Sequence, residues 1–246
     1  IEHPPFRAPH HSASAVALVG GGSVSVRPGE ISMAHGGVLF LDELSEFPAV
    51  VLDALRQPLE SGWVHIARGG VRAVLPARFL LVAAMNPCPC GERTSPDSCR
   101  CSDQQLARYR RRLSGPLLDR FDLRIEVARP NGAALLAAKP GEASATVRAR
   151  VAAARAVASD RGVACNAELT SEQLDRVAPL AADARNLAER WLTRGRITGR
   201  GLQRLRRVAR TLADLESRDG PLDAELLGTA AAMRVEPSFS VARLAG

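Results

Sequence analysis

The sequence is nearly free of lysine. Lys139 is the single one in 246 residues, so the net charge of +7 and the pI near 10.0 are carried by arginine. A basic balance favours polyanionic partners, nucleic acid or nucleotide, although an alanine- and arginine-rich composition also follows from a GC-rich genome. No apolar stretch of the sequence reaches the roughly 20 residues of a spanning helix. The opening residues, IEHPPFRAPHH, lack the shape of a signal peptide. The expectation is a cytoplasmic protein with no membrane partner. No internal repeat is present, and no Ser-His-Asp or thiol-nucleophile grouping stands out. Cysteine is scarce, five residues with four clustered, which suits a reduced protein with a metal site better than a disulfide scaffold. The chain opens in mid-loop without Met, and we expect it to be a piece of a longer protein.

What is there divides at a linker. Residues 1–35 are rich in Gly, Pro, Ser and His and read as short pieces between turns. The continuous apolar run Val38–Leu41 predicts a buried strand. Residues 48–61 predict one helix stopped by Gly62. Residues 63–67 and 71–75 alternate like the arms of a hairpin. Phe79–Ala84 predicts a second continuous apolar strand, 103–119 one or two short helices, and FDLRIEV (121–127) another strand. A Pro/Gly-punctuated stretch at about 129–143 then leads into helical patterns at 144–160, 170–178, 181–194, 198–217 and 223–233. Thr170 with Gln173 makes a capping box, and Thr198 is an N-cap. Strands separated by helices predict an α/β layered sheet over 1–130, followed by a small all-helical domain over 131–246.

GGVLFLDEL (36–44) ends an apolar run in two carboxylates, Asp42 and Glu43. Such a pair can be two solvated acids, or it can divide labour. In the second case Asp42 holds a divalent cation and Glu43 orients a water. Asn86, in MNP at the end of the neighbouring apolar run, could orient the same water or simply occupy a turn before proline. Arg120 in GPLLDRFDL could reach a neighbouring subunit as an arginine finger or cap a helix end. Arg200 opens a helix that also carries Arg204, Arg206, Arg207 and Arg210, a charge run that reads first as a solvated face. CPCGERTSPDSCRC (88–101) sets two C-x-C pairs close together. Cys88, Cys90, Cys99 and Cys101 can surround one Zn²⁺ or stay as reduced thiols. Cys165 reads as a small buried residue. His10 and His11 are adjacent and so poorly placed to share one ion; His3, His35 and His65 read as structural.

Taken together, PFRAPHHSASAVALVGGGS, RPGEISMAHGGVLFLDEL, LRQPLESGWVHIARGG, PARFLLVAAMNPCPCG and RLSGPLLDRFDL resemble the magnesium-chelatase-like AAA+ ATPases of the ComM/YifB family. VARTLADL resembles that family's C-terminal lid. The resemblance covers nearly the whole chain. It implies a partial AAA+ P-loop NTPase core, a parallel sheet with helices, followed by a helical lid. It implies Walker B at Asp42 and Glu43, with Mg²⁺ on Asp42. Sensor 1 falls at Asn86, the arginine finger at Arg120 and sensor 2 at Arg200. The 12–35 stretch corresponds to the insert within helix 2, and the 62–76 hairpin to the insertion before sensor 1. At that hairpin Arg68, with Arg72 second, would meet a nucleic-acid backbone. The implied cofactors are ATP and Mg²⁺, and the implied partners are DNA and further copies in a hexameric ring.

The phosphate-cradling pattern GxxxxGK[ST] does not occur in the chain. Lys139 is preceded by LLAA and followed by Pro-Gly, and Gly20–Ser23 lacks the lysine. The resemblance puts that loop upstream of PFRAPHH, so weak ATP binding by these residues alone is expected. Three functions stay open at this stage. They are a DNA helicase or branch-migration motor, a metal-chelatase-type motor subunit, and an inactive nucleic-acid-binding fragment.

Overall fold

The computed structural model describes residues 3–22, 25–68, 71–92, 99–127, 132, 136 and 140–234. The chain divides into two compact units, the first running to Phe121 and the second beginning at Asp122.

The first unit is built on three parallel strands in the order β1 (Phe6–Arg7), β4 (Val38–Leu41), β7 (Leu80–Ala83). Phe6 pairs with Val38, and Leu41 with Ala83. Between β1 and β4 lie α1 (Ala15–Val19), the short antiparallel pair β2 (Gly20–Gly21) and β3 (Arg27–Pro28), and α2 (Glu30–Met33). β4 turns Leu39 and Leu41, both fully buried, onto a core with Leu18, Ile31, Phe47, Leu52, Leu55 and Leu117. Its other face is only half-buried, where Phe40 stacks on Phe6 at 6.2 Å between ring centroids. Gly37 is required where β1 and β4 join. Val38 N–H donates to Pro5 O at 2.8 Å, and a Cβ on Gly37 would lie 1.9 Å from that same oxygen.

The helix expected over 48–61 is two helices, α3 (Ala49–Ala54) and α4 (Arg56–Ser61). Pro58 is the reason. Its ring cannot donate to residue 54 and would collide with that carbonyl, but it fits in the first turn of a new helix. Gly62 closes α4 in the left-handed conformation (φ 74°), as the sequence predicts. The hairpin forms as β5 (Trp63–Arg68) and β6 (Val71–Pro76), paired from Trp63↔Pro76 to Arg68↔Val71. Val64 and Ile66 face the core. The hairpin's tip, residues 69–70, and the side chain of Arg68 lie outside the described residues.

Two strand expectations need correction. β7 is shorter than 79–84 and is not buried on both faces, because Leu80 and Val82 are 62% and 40% exposed. No described strand pairs with its outer edge. FDLRIEV is not a strand: it makes one bridge, Arg124 to Arg234, and leaves Ile125 and Val127 exposed. A strand exists only through its ladder, and these residues have no ladder partner among those described. After β7 come α5 (Asp103–Arg112) and α6 (Gly115–Leu118). The first of these opens with a Ser102–Gln105 capping box.

The second unit is helical throughout: α7 (Ser144–Asp160), α8 (Ser171–Val177), α9 (Ala182–Thr193), α10 (Gly199–Leu215) and α11 (Ala224–Ala232). Thr170 and Thr198 cap α8 and α10 as predicted. Leu205, Ala209 and Ala213 recur every fourth residue on α10 and bury that stripe against Leu174, Ala188, Leu227 and Ala230.

The arginines of α10 overturn the solvated-face reading. Arg206 and Arg210 are 7% and 2% exposed. The Arg206 guanidinium donates to the carbonyls of Leu174 and Ala178 and to Asp175. Arg210 donates to the Arg218 and Gly220 carbonyls and, through Nε, to Asp214 at 3.0 Å. Asp214, with a fully buried side chain, also accepts from Arg161 and Asn166. Burial alone would push its pKa up. The Arg161 and Asn166 hydrogen bonds and the Arg210 charge override that and hold it below the usual value. These cations hold the helices together and are not available to a phosphate. Cys165 is half-buried, not enclosed as expected.

Candidate functional site

Asp42, Glu43 and Asn86 come together because their strands are neighbours in register. The ladder continues past the strand ends: Ala84 N–H donates to Leu41 O at 3.0 Å, and Leu44 N–H donates back to Ala84 O at 2.9 Å. The two carboxylates and the amide therefore follow the carboxyl ends of adjacent parallel strands, where open α/β sheets receive ligands. All three residues are exposed. Asp42 Oδ1 accepts from Glu43 N–H at 2.9 Å. Glu43 sits at φ 50°, ψ 48°, in the left-handed region that a non-glycine residue occupies at a cost. The hard carboxylate oxygens suit Mg²⁺.

Two partners of this site are not apparent from the sequence. His11 Nδ1 lies 3.0 Å from Glu43 Oε2, and the His11 ring meets Phe47 edge-on at 6.4 Å. The PHHS stretch lies about thirty residues upstream of the acidic pair, and adjacent histidines point away from a shared ion, which conceals a one-residue role. The other partner is Tyr109, the single tyrosine of the chain. Buried on α5, it accepts from Ser45 Oγ at 2.7 Å and donates to Asn86 O at 2.8 Å. Burial raises its pKa, and the hydroxyl stays protonated as donor. The relay ties the turn after β4 to the turn after β7, holding Glu43 and Asn86 in one frame.

Arg120 is largely enclosed. Its side chain is 13% exposed. Nη2 donates to Glu60 Oε2 at 2.6 Å, Nη1 to Pro116 O at 2.5 Å and Nε to Arg56 O at 3.2 Å. Arg72 is exposed on β6. Arg200 is exposed in the first turn of α10, in the second unit.

The four clustered cysteines converge. Sγ of Cys88 lies 3.3 Å from Cys90 and 3.7 Å from Cys99, and Cys90 lies 3.9 Å from Cys99. All four sulfurs, Cys101 included, fall within 4.8 Å of one another. None is bonded to another, and Cys88 is fully buried. The Glu92 backbone N–H, with Cys88 behind it, lowers the Cys90 pKa to about 6, while loss of water raises that of Cys101 to about 12. The donor set could hold a metal.

Parallel strands with an acid pair and an amide at neighbouring carboxyl ends, then a helical unit, define a partial P-loop NTPase core with a helical C-terminal domain. The family comparison makes this specific. Residues 1–135 match the family described as magnesium chelatase, subunit ChlI, and residues 141–234 match the ChlI C-terminal family; the chain belongs to this family. It is 48% identical over 240 residues to competence protein ComM of Haemophilus influenzae, 96% of this chain and 47% of that protein. It is 49% identical over 216 residues to the uncharacterised protein YifB of Escherichia coli, 87% of this chain and 42% of that one. It is 36% identical over 66 residues to the magnesium-chelatase subunit ChlI of Euglena gracilis, 27% of this chain and 19% of that protein. The chain thus spans about half the length of the ComM and YifB relatives. Among the described residues no helix is long and apolar enough to cross a membrane.

Proposed function

We propose that these residues form the hydrolytic part of an ATP-driven AAA+ ring motor, a hexamer that moves or remodels DNA in uptake and recombination. One observation carries the reading: Asp42 and Glu43 follow the carboxyl end of β4, and Asn86 follows that of the strand paired with it. Bound Mg²⁺ would neutralise triphosphate charge as the terminal phosphoryl group leaves. Asp42 would hold that ion, directly or through water. Glu43 would take a proton from the attacking water, and the Asn86 amide would fix the water's direction. The resemblance implies a phosphate-contacting role for Arg200. Service by Arg120 as an arginine finger requires its Glu60 pair to be exchanged for a neighbour's phosphate oxygens. The exposed Arg72, the net charge of +7 and a relative named a competence protein support DNA as the partner.

The chain has no GxxxxGK[ST] of its own, so the test supplies one. A fusion placing the N-terminal part of H. influenzae ComM before Ile1 should hydrolyse ATP. Glu43→Gln and Asn86→Ala should each lower the turnover at least a hundredfold while nucleotide binding persists. Turnover unchanged in Glu43→Gln would remove the reading. The ChlI relative supports a second reading, a chelatase-type motor. Salt decides between them: binding to forked DNA that weakens steeply with salt favours the DNA motor, and no DNA binding at low salt favours the chelatase.

A further inference from the structure

We infer that Cys88, Cys90, Cys99 and Cys101 hold one structural Zn²⁺, and that this ion fastens the turn carrying Asn86 to the start of α5.

The geometry is that of a single tetrahedral ion. With Zn–S at about 2.3 Å, a regular tetrahedron has sulfur–sulfur edges of ~3.8 Å. The observed separations of 3.3, 3.7 and 3.9 Å straddle that edge, and the whole set lies within 4.8 Å. A disulfide would bring two sulfurs to about 2.05 Å, and none approaches that. A polynuclear iron–sulfur cluster spreads its thiolates over several irons, so its sulfurs stand farther apart than one tetrahedron's edge. Four soft thiolates at one point select Zn²⁺ over the oxygen-seeking Mg²⁺. The C-x-C spacing is tighter than the common C-x₂-C, and here each pair lies at one end of the loop. Cys88 and Cys90 follow β7, while Cys99 and Cys101 precede the Ser102 cap of α5.

The position gives the ion its role. Asn86 stands two residues before the first ligand, and α5 begins two residues after the last. Farther along the same helix, Tyr109 donates back to Asn86 O at 2.8 Å. The turn is thus held at two points, by the metal at the helix start and by the hydroxyl at its seventh residue. The ion touches no reacting group: it is a positioning device for Asn86. The coordination stands apart from nucleotide hydrolysis and is read without ATP; the positioning role rests on the hydrolytic reading.

The test uses the whole chain, purified under reducing conditions from zinc-supplemented medium. Elemental analysis should give one zinc per chain. Zinc replaced by Co²⁺ should show the thiolate charge-transfer and red-region d–d bands of a tetrahedral tetrathiolate. Cys99→Ser and Cys101→Ser should each lower zinc content at least tenfold, and Cys165→Ser should keep one equivalent. Because a cysteine variant can fail to fold, the wild-type chain stripped with a chelator is measured too. Amide exchange over 84–88 and 103–106 should rise at least tenfold and return on adding Zn²⁺. Less than a tenth of an equivalent of zinc with no cobalt bands would overturn the site. An iron–sulfur chromophore would do the same. Full zinc with unchanged exchange would overturn the positioning role and leave hydrolysis to be judged on Glu43.

Discussion

Asp214 shows how far a single residue can depart from its sequence reading. Nothing in VARTLADL distinguishes a surface aspartate from one at the centre of three donors. The difference is set by Arg161 and Asn166, about fifty residues away. Removing one member of a buried pair leaves the others uncompensated, at about 3–5 kcal/mol. Asp214→Ala should lower the stability of the helical unit by that amount in urea melts. The pH dependence has a definite sign. The folded-state pKa is depressed, so the stabilisation is present above the unfolded value, roughly pH 4, and fades as pH falls through the folded one. Asp214→Asn should flatten that acid limb; an unchanged limb would assign it to other carboxylates. Tyr109 makes the complementary case in the first unit. Tyr109→Phe strands the buried Ser45 hydroxyl and takes the donor from the Asn86 carbonyl, and should cost about 1–3 kcal/mol. A cost near zero would mean that the relay holds nothing.

At the scale of elements, the sequence was most readable where periodicity and capping agree. The five helices of the second unit, the 63–76 hairpin and the stop at Gly62 follow from local chemistry. Sequence reading was weakest where an element needs a distant partner. FDLRIEV has the composition of a strand and lacks the ladder, and β7 has a buried strand's composition with one face open. Pro58 was readable but was outweighed by the apolar spacing around it. The contact between β1 and β4 through Gly37 is another long-range fact. Gly37→Ala would drive a Cβ into Pro5 O and should detach β1. Hydrogen exchange at Val38, whose N–H donates across that contact, should rise at least tenfold, while the β4–β7 ladder keeps its protection. Exchange unchanged at Val38 would show that the strand tolerates the displacement.

For the whole molecule, the net charge of +7 misleads unless the arginines are sorted by what they already hold. Arg206 and Arg210 are spent on carbonyls and Asp214, and Arg120 on Glu60, whereas Arg72 faces solvent. DNA binding should therefore follow the hairpin. Arg72→Ala should weaken it for every sequence and reduce the salt slope by about one. Arg207→Gln, which removes a cation that donates to the Leu169 carbonyl, should change stability and leave the slope alone. A slope unchanged in Arg72→Ala and reduced in Arg207→Gln would place the DNA on the helical unit.

The site's acid pair and amide were legible because each ends a continuous apolar run, and the strands those runs form, β4 and β7, pair in space although the β5–β6 hairpin lies between them in the chain. His11 and Tyr109 were not, since each reaches the site from an element with its own local reason to exist. The most direct measurement is a structure of the ComM fusion carrying Glu43→Gln, solved with ATP and Mg²⁺. The expected result is the ion on Asp42, directly or through one water, and the terminal phosphate facing Asn86 beyond the ends of β4 and β7. A nucleotide bound elsewhere, with those two strand ends still facing water, would contradict it.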